Sequence, residues 1–211
     1  MELKKRTDKI RKILRTIYPD VKTPLRHQTP FQLLVATILS AQCTDKQVNR
    51  VTGLLFDHLK TPADFAKAPL KTIEKYIHST GFYHNKAKNI KNCSRQILDT
   101  HNGRVPQTLA ELVKLPGVGR KTANVVLGAA FNTPGMVVDT HVARISQRLG
   151  LTTGKDAVKI EYDLMTIVPQ RSWNDFSLQL IFFGRETCSA RNPKCPACPI
   201  VKLCPWPEKA A

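Results

Sequence analysis

The sequence predicts an all-α fold of about ten short helices. Three observations carry that expectation: capping signatures recur along the chain, apolar residues return at helical spacing, and almost nothing alternates with the period of a strand. The first element is an N-terminal amphipathic helix marked by Ile10, Ile13, Leu14 and Ile17. Thr29-Pro30-Phe31-Gln32 then reads as a capping box with proline at the first helical position. Behind it, Phe31, Leu34, Val35, Ile38 and Leu39 mark one face of a strongly apolar helix. Thr61-Pro62-Ala63-Asp64 repeats the signal, with aspartate in place of the usual Glu or Gln, and Thr108-Leu109-Ala110-Glu111 opens a further helix. Gly81, Gly103 and Gly150 stand where helices would stop. Residues 136–138 alone read as extended, and they are too few to build a sheet.

Charge narrows the function. Lys and Arg outnumber Asp and Glu by 33 to 16. That imbalance costs self-repulsion, and a polyanionic partner is the economical reason to keep it, a merely basic surface being the plainer alternative. No stretch approaches the roughly 20 apolar residues of a membrane helix. The periodic apolar residues near the N-terminus do not form a signal-peptide core. A cytoplasmic, nucleoid-associated protein is therefore expected. With no low-complexity linker or repeat, the expected division is compact and discontinuous: a central helical domain at 22–132, and a second domain built from 1–21 plus 133–211.

The densest signal is Leu115-Pro116-Gly117-Val118-Gly119-Arg120-Lys121. Gly117 and Gly119 allow backbone angles that other residues avoid and remove side chains that would block close approach. The following helix would present unsatisfied N–H groups and its positive dipole end, a setting suited to a phosphate. Val118, Arg120 and the glycines are thus candidate DNA contacts. The same helix end and Arg120 work against an ammonium at Lys121, which favours the neutral amine that a nucleophile needs. Asp139 lies 18 residues further on. A helix over 122–131 rises about 15 Å, and an extended 132–138 could return by roughly 23 Å, enough to bring Asp139 towards Lys121. Asp139 also stands where it could cap the next helix. His141 is read as a structural or phosphate-contacting residue, with proton shuttling as the sharper option.

Cys188, Cys195, Cys198 and Cys204, spaced C-x6-C-x2-C-x5-C, can converge on one centre. Zinc sites usually pair two short knuckles, whereas four thiolates on one compact loop suit a cubane iron–sulfur cluster; spacing alone leaves both open. Arg191, Lys194 and Lys202 decorate the loop, while Cys43 and Cys93 read as ordinary half-buried thiols.

Taken together, the chain resembles the endonuclease III family of base-excision DNA glycosylases. The resemblance runs over essentially the full length. It rests on Leu39-Ser40-Ala41-Gln42-Cys43-Thr44-Asp45, on Gly81-Phe82-Tyr83-His84-Asn85-Lys86-Ala87, on the hairpin and lysine segment 115–123, on Val138-Asp139-Thr140-His141-Val142-Ala143-Arg144, and on the cysteine loop. The resemblance implies a helix-hairpin-helix fold of two helical domains with DNA in the cleft between them. It implies a [4Fe–4S] cluster on residues 188–204, and a monomer acting on duplex DNA that carries damaged pyrimidines or abasic sites. The expected activity is removal of oxidised or ring-saturated pyrimidines through a Lys121 Schiff base, with β-elimination 3′ to the abasic site and Asp139 stabilising charge on the sugar. Gln42 would fill the gap left by a flipped nucleotide, and Phe82 would act as an apolar wedge. Asp45 would cap the next helix. Alternatives are a monofunctional adenine or mismatch glycosylase, which would use water and have no lysine at position 121, and a non-catalytic DNA-binding module with a structural metal.

Overall fold

In the computed structural model, which describes residues 2–206, all regular structure is helical: eleven α-helices joined by short loops and 3₁₀ turns. The chain divides into two compact units, Thr23–Thr133, and Met1–Lys22 with Pro134–Ala211. The N-terminal helix α1 (Glu2–Ile17) belongs to the second of these.

The Thr23–Thr133 unit is assembled around α2 (Pro30–Leu39), nine of whose ten residues are buried. Around it lie α3 (Asp45–His58), α4 (Pro62–Lys67), α5 (Leu70–Ile77), α6 (Tyr83–His101), α7 (Leu109–Leu112) and α8 (Arg120–Phe131). One apolar core joins Leu33, Leu34 and Leu39 of α2 to Val48, Phe65, Ile73, Ile90 and Val126.

The capping signatures work as local starts, with two differences from expectation. Thr29 accepts from the Gln32 amide, but the Gln32 side chain reaches back to the N–H of Gln28 at 2.8 Å, one residue beyond the usual partner. Thr44, not Asp45, caps α3 by accepting from the Gln47 N–H at 3.3 Å. Thr61 and Asp64 form the complete reciprocal box at α4. Stops differ too. Helices α6 and α8 end on Asn102 and Asn132 in the left-handed conformation, a role in which asparagine substitutes for glycine. Gly103 follows one residue later, and Gly81 closes a 3₁₀ turn at His78–Thr80 instead of an α-helix.

The second unit packs α1 with α9 (Thr140–Arg148), α10 (Ala157–Ile167) and α11 (Trp173–Glu186), and its core includes Ile10, Leu14, Ile145, Leu164, Phe176, Leu180 and Phe183. Helices α9 and α11 approach closely because Gly184 has no side chain: a Cβ there would stand 2.8 Å from Ile145 Cδ1 and 2.9 Å from His141 Nδ1. Residues 136–138 are irregular and buried, and the Val137 N–H donates to Ser177 Oγ at 2.9 Å instead of to a strand. No helix among the described residues is long and apolar enough to cross a membrane.

The α4 box gives a testable acid dependence. Backbone N–H donors from Thr61 and Lys60 hold the Asp64 carboxyl below its usual value. A depressed folded-state pKa stabilises the fold above the unfolded value, and that contribution is lost as pH falls through the folded one. Thr61→Ala is expected to cost about 1 kcal/mol at neutral pH. Asp64→Asn is expected to narrow the difference in urea midpoint between neutral and acid pH. An unchanged pH dependence in that variant would show that the carboxylate does not stabilise the helix start.

Candidate functional site

The hairpin between α7 and α8 is fixed from within. The Leu115 N–H donates to Leu112 O and the Val118 N–H to Leu115 O, both at 3.1 Å, while the buried Val118 side chain anchors the turn in the core. Gly117 sits at φ +77, and a Cβ there would meet Asn89 Cβ of α6 at 2.8 Å, so glycine is required twice over. Gly119 differs. Its backbone (φ −86, ψ 173) suits any residue, and a Cβ would meet nothing within 4 Å. Conformation therefore does not demand glycine at 119, contrary to the sequence expectation, and only the open approach to its surface remains as a reason.

Gly119 begins α8 without a side-chain cap, and the first helical bond runs from the Ala123 N–H to Gly119 O at 3.0 Å. The amides of residues 120–122 thus precede the helical ladder at the positive end of the dipole. Lys121 is exposed in this first turn, with Arg120 half-buried beside it.

Gln42 and Phe82 lie in the same unit, in the α2–α3 and α5–α6 loops. Both are exposed and both have left-handed backbones, φ 52 and φ 48. Unlike Asn102 and Asn132, neither residue type tolerates that region well, and each such position costs on the order of 1–3 kcal/mol. Phe82 is 64% exposed, which excludes a role as a core aromatic. The roots of the two loops are neighbours, since Lys86 Nζ donates to both Leu39 O and Thr80 O, and the Gln47 side-chain amide at the start of α3 donates to Ser79 Oγ at 2.5 Å.

In the second unit, Asp139 is half-buried and caps α9: its Oδ1 accepts from the N–H groups of His141 and Val142, both at 2.9 Å. One oxygen thus serves both cap bonds. His141 is wedged against Gly184 and its Nδ1 lies 3.2 Å from an Arg144 guanidinium nitrogen, a structural setting.

Cys188, Cys195, Cys198 and Cys204 all line one apolar pocket, with Ile145, Phe183 and Ile200 among its walls. Burial pushes the Cys198 thiol up, and the neighbouring sulfurs of Cys188, Cys195 and Cys204 add to this, as expected for four convergent acidic groups. Among the described residues no three metal-ligating side chains are grouped as a single ion would require. Cys43 is half-buried and Cys93 buried, the latter with its thiol pushed up to about 12 by burial alone.

These features have close counterparts in known proteins. Residues 35–170 match the family described as HhH-GPD superfamily base excision DNA repair protein. The chain is 52% identical over 203 residues to endonuclease III of Synechocystis sp., covering 96% of this chain and 93% of that protein. The chain belongs to the endonuclease III family. Its Bacillus subtilis member is 50% identical over 189 residues, covering 89% of this chain and 86% of that one. The structure of a trapped endonuclease III–DNA covalent intermediate superimposes with a TM-score of 0.93 at 45% identity, over 96% of each chain. The fold is accordingly the helix-hairpin-helix fold of the endonuclease III family.

Three further side chains organise these sites. Lys86 and Arg144 lie in motifs that carry the family resemblance, but the sequence assigns none of the three a role. Arg148 donates to Ser189 O at 2.7 Å, to Ala190 O at 2.9 Å and to Cys188 Sγ at 3.4 Å, and its guanidinium lies 4.0 Å from the Trp206 ring centre. Arg144 donates to Cys188 O at 2.8 Å and to Gly184 O at 3.1 Å. The third is Lys86, buried between the loops of Gln42 and Phe82. In a chain so rich in basic residues, an arginine or lysine that bonds inward looks no different from one that faces solvent.

The two hairpin glycines should respond differently. Gly117→Ala is expected to lower stability by about 1–3 kcal/mol in urea unfolding, and Gly119→Ala, at an N-cap where glycine outranks alanine, by only about 0.5–1 kcal/mol. Equal losses would mean that the hairpin is not held against Asn89.

Proposed function

We propose that this chain is a base-excision repair DNA glycosylase with AP lyase activity, removing oxidised or ring-saturated pyrimidines from duplex DNA. The observation that carries the reading is the full-length match to an endonuclease III trapped covalently on DNA, together with an exposed lysine in the first turn of α8. The net charge of +17 supplies the non-specific attraction to a phosphate backbone.

The chemistry then follows from the residues. The target nucleotide leaves the stack, because C1′ is inaccessible inside it. Gly117, Val118, Gly119 and Arg120 hold a backbone phosphate at the uncapped helix end. The Lys121 amine attacks C1′, the glycosidic bond breaks, and the base departs with the bonding electrons and gains a proton. The sugar opens to a Schiff base on Lys121. Loss of a C2′ proton then expels the 3′ phosphate by β-elimination, and water returns the free amine. The Asp139 carboxylate offsets positive charge on the sugar and assists proton transfer, while its Oδ1 caps α9. A lysine nucleophile is what separates this reading from a glycosylase that uses water.

The four cysteines would hold a [4Fe–4S] cluster. Four sulfurs around one apolar pocket fit such a group. Zinc sites usually pair two short knuckles, whereas these four thiolates stand on one compact loop. A bound cluster would cross-link the loop through Cys188, Cys195, Cys198 and Cys204, beside the exposed Arg191, Lys194 and Lys202.

Borohydride trapping on a duplex with one thymine glycol tests the central step. Wild type is expected to give a covalent adduct and Lys121→Gln none, with DNA affinity nearly retained; no wild-type adduct despite tight binding would remove the lyase assignment. Asp139 separates cap from chemistry. Asp139→Asn is expected to keep stability within about 0.5 kcal/mol, since both residues cap well, while excision falls about a hundredfold or more. The purified protein is expected to carry about four irons, and Cys198→Ala to lose them; one tightly bound zinc would overturn the cluster.

A further inference from the structure

Lys86 is 5% exposed, and its Nζ donates to Leu39 O at 2.9 Å and to Thr80 O at 2.8 Å. Leu39 is the last residue of α2, three before Gln42. Thr80 ends the 3₁₀ turn, two before Phe82. The Lys86 N–H also makes the first backbone bond of α6, to Phe82 O at 3.1 Å. One side chain therefore ties together the roots of both left-handed loops and sits on the helix that the second loop starts.

Burial works against the charge on this lysine, and the neighbouring Cys43 thiol works for it. A core does not need an ammonium to be filled, and apolar residues of similar volume commonly replace buried ions without loss of stability. The two carbonyls do need a donor. Each ends a helical segment, where no further turn supplies an N–H. An outer bond from Gln47, in the first turn of α3 just after the Gln42 loop, to Ser79 of the 3₁₀ turn ties the same region nearer the surface. Strained backbones persist only where the surroundings over-determine them, and these three bonds are the surroundings.

We infer that Lys86 is a positioning residue for base extrusion, locking the two loops together so that Gln42 and Phe82 enter the duplex as one preset pair. The inference rests on the proposed roles of Gln42 and Phe82 in the DNA stack. Lys86 touches no DNA in this scheme. Its removal would uncouple the pair while leaving Lys121, Asp139 and the hairpin unchanged.

The test compares single-turnover rates of the cluster-loaded, full-length protein on three duplexes: thymine glycol paired with adenine, thymine glycol in an unpaired bulge, and a preformed abasic site. Lys86→Met is expected to slow excision of the paired lesion about tenfold or more, because extruding a stacked base costs a few kcal/mol. It is expected to leave the bulged lesion and the abasic site within about twofold. A 2-aminopurine beside the lesion is expected to lose its fluorescence rise on binding. Gln47→Leu, which spares the core, is expected to give the same selective loss at about threefold and carries the test should Lys86→Met not fold. Added to Gln42→Ala with Phe82→Ala, Lys86→Met is expected to cost nothing more. Equal slowing on all three duplexes, or no slowing on the paired one, overturns the role of Lys86. Wild-type excision by the Gln42→Ala, Phe82→Ala variant overturns it from the other side, by removing the parent reading of the loops.

Discussion

Helix α2 is buried along almost its whole length, and a helix sunk in apolar surroundings cannot leave its last carbonyls to water. Much of the Thr23–Thr133 unit answers that demand. At the N-terminal end, Thr29 and Gln32 satisfy the first amides locally. At the C-terminal end the chain must turn away within a few residues, and the Leu39 carbonyl takes its donor from Lys86 on α6. Helix α6 is bound at its first turn to the end of α2, and separately its second turn places Asn89 against the Gly117 hairpin, a contact that does not run through Lys86. The loops of Gln42 and Phe82 and the hairpin ahead of Lys121 share one support, although 79 residues of sequence separate Gln42 from Lys121.

The second unit has an equivalent in α9. Its N-terminus is fixed by Asp139, its middle by the close approach of Gly184, and its C-terminal turn by Arg144 and Arg148, which grip the cysteine loop through backbone carbonyls. Nine residues of helix, about 13 Å, link a carboxylate to the loop. The loop is held even by groups that are not sulfur ligands, so its path is set by the polypeptide as well as by what the thiols bind.

What the sequence disclosed divides along physical lines. Helix starts were legible, because a capping box is written within four consecutive residues, as at Thr61 to Asp64. Helix ends were less so: asparagine at 102 and 132 does the work expected of glycine, and composition does not say which asparagine will turn left-handed. The all-α fold and the hairpin were readable from spacing. The contrast between Gly117 and Gly119 was not, since it depends on Asn89, which arrives from another helix. The inward-facing role of Lys86 was not legible for a related reason, although the residue lies in a motif that carries the resemblance. Among so many lysines and arginines, nothing local distinguishes the one that points inward, and its partners are carbonyls 47 and 6 residues away.

The left-handed backbones at Gln42 and Phe82 have a kinetic meaning for a protein that must inspect long stretches of DNA. A flexible loop loses conformational entropy each time it engages a site, about 1–2 kcal/mol for every residue it orders. Loops already held in their strained form meet that penalty once, when the chain folds. Under the roles proposed for Gln42 and Phe82, successive base pairs would be sampled by side chains that need no rearrangement, and the dwell time at each undamaged pair would be set by the DNA's own willingness to open.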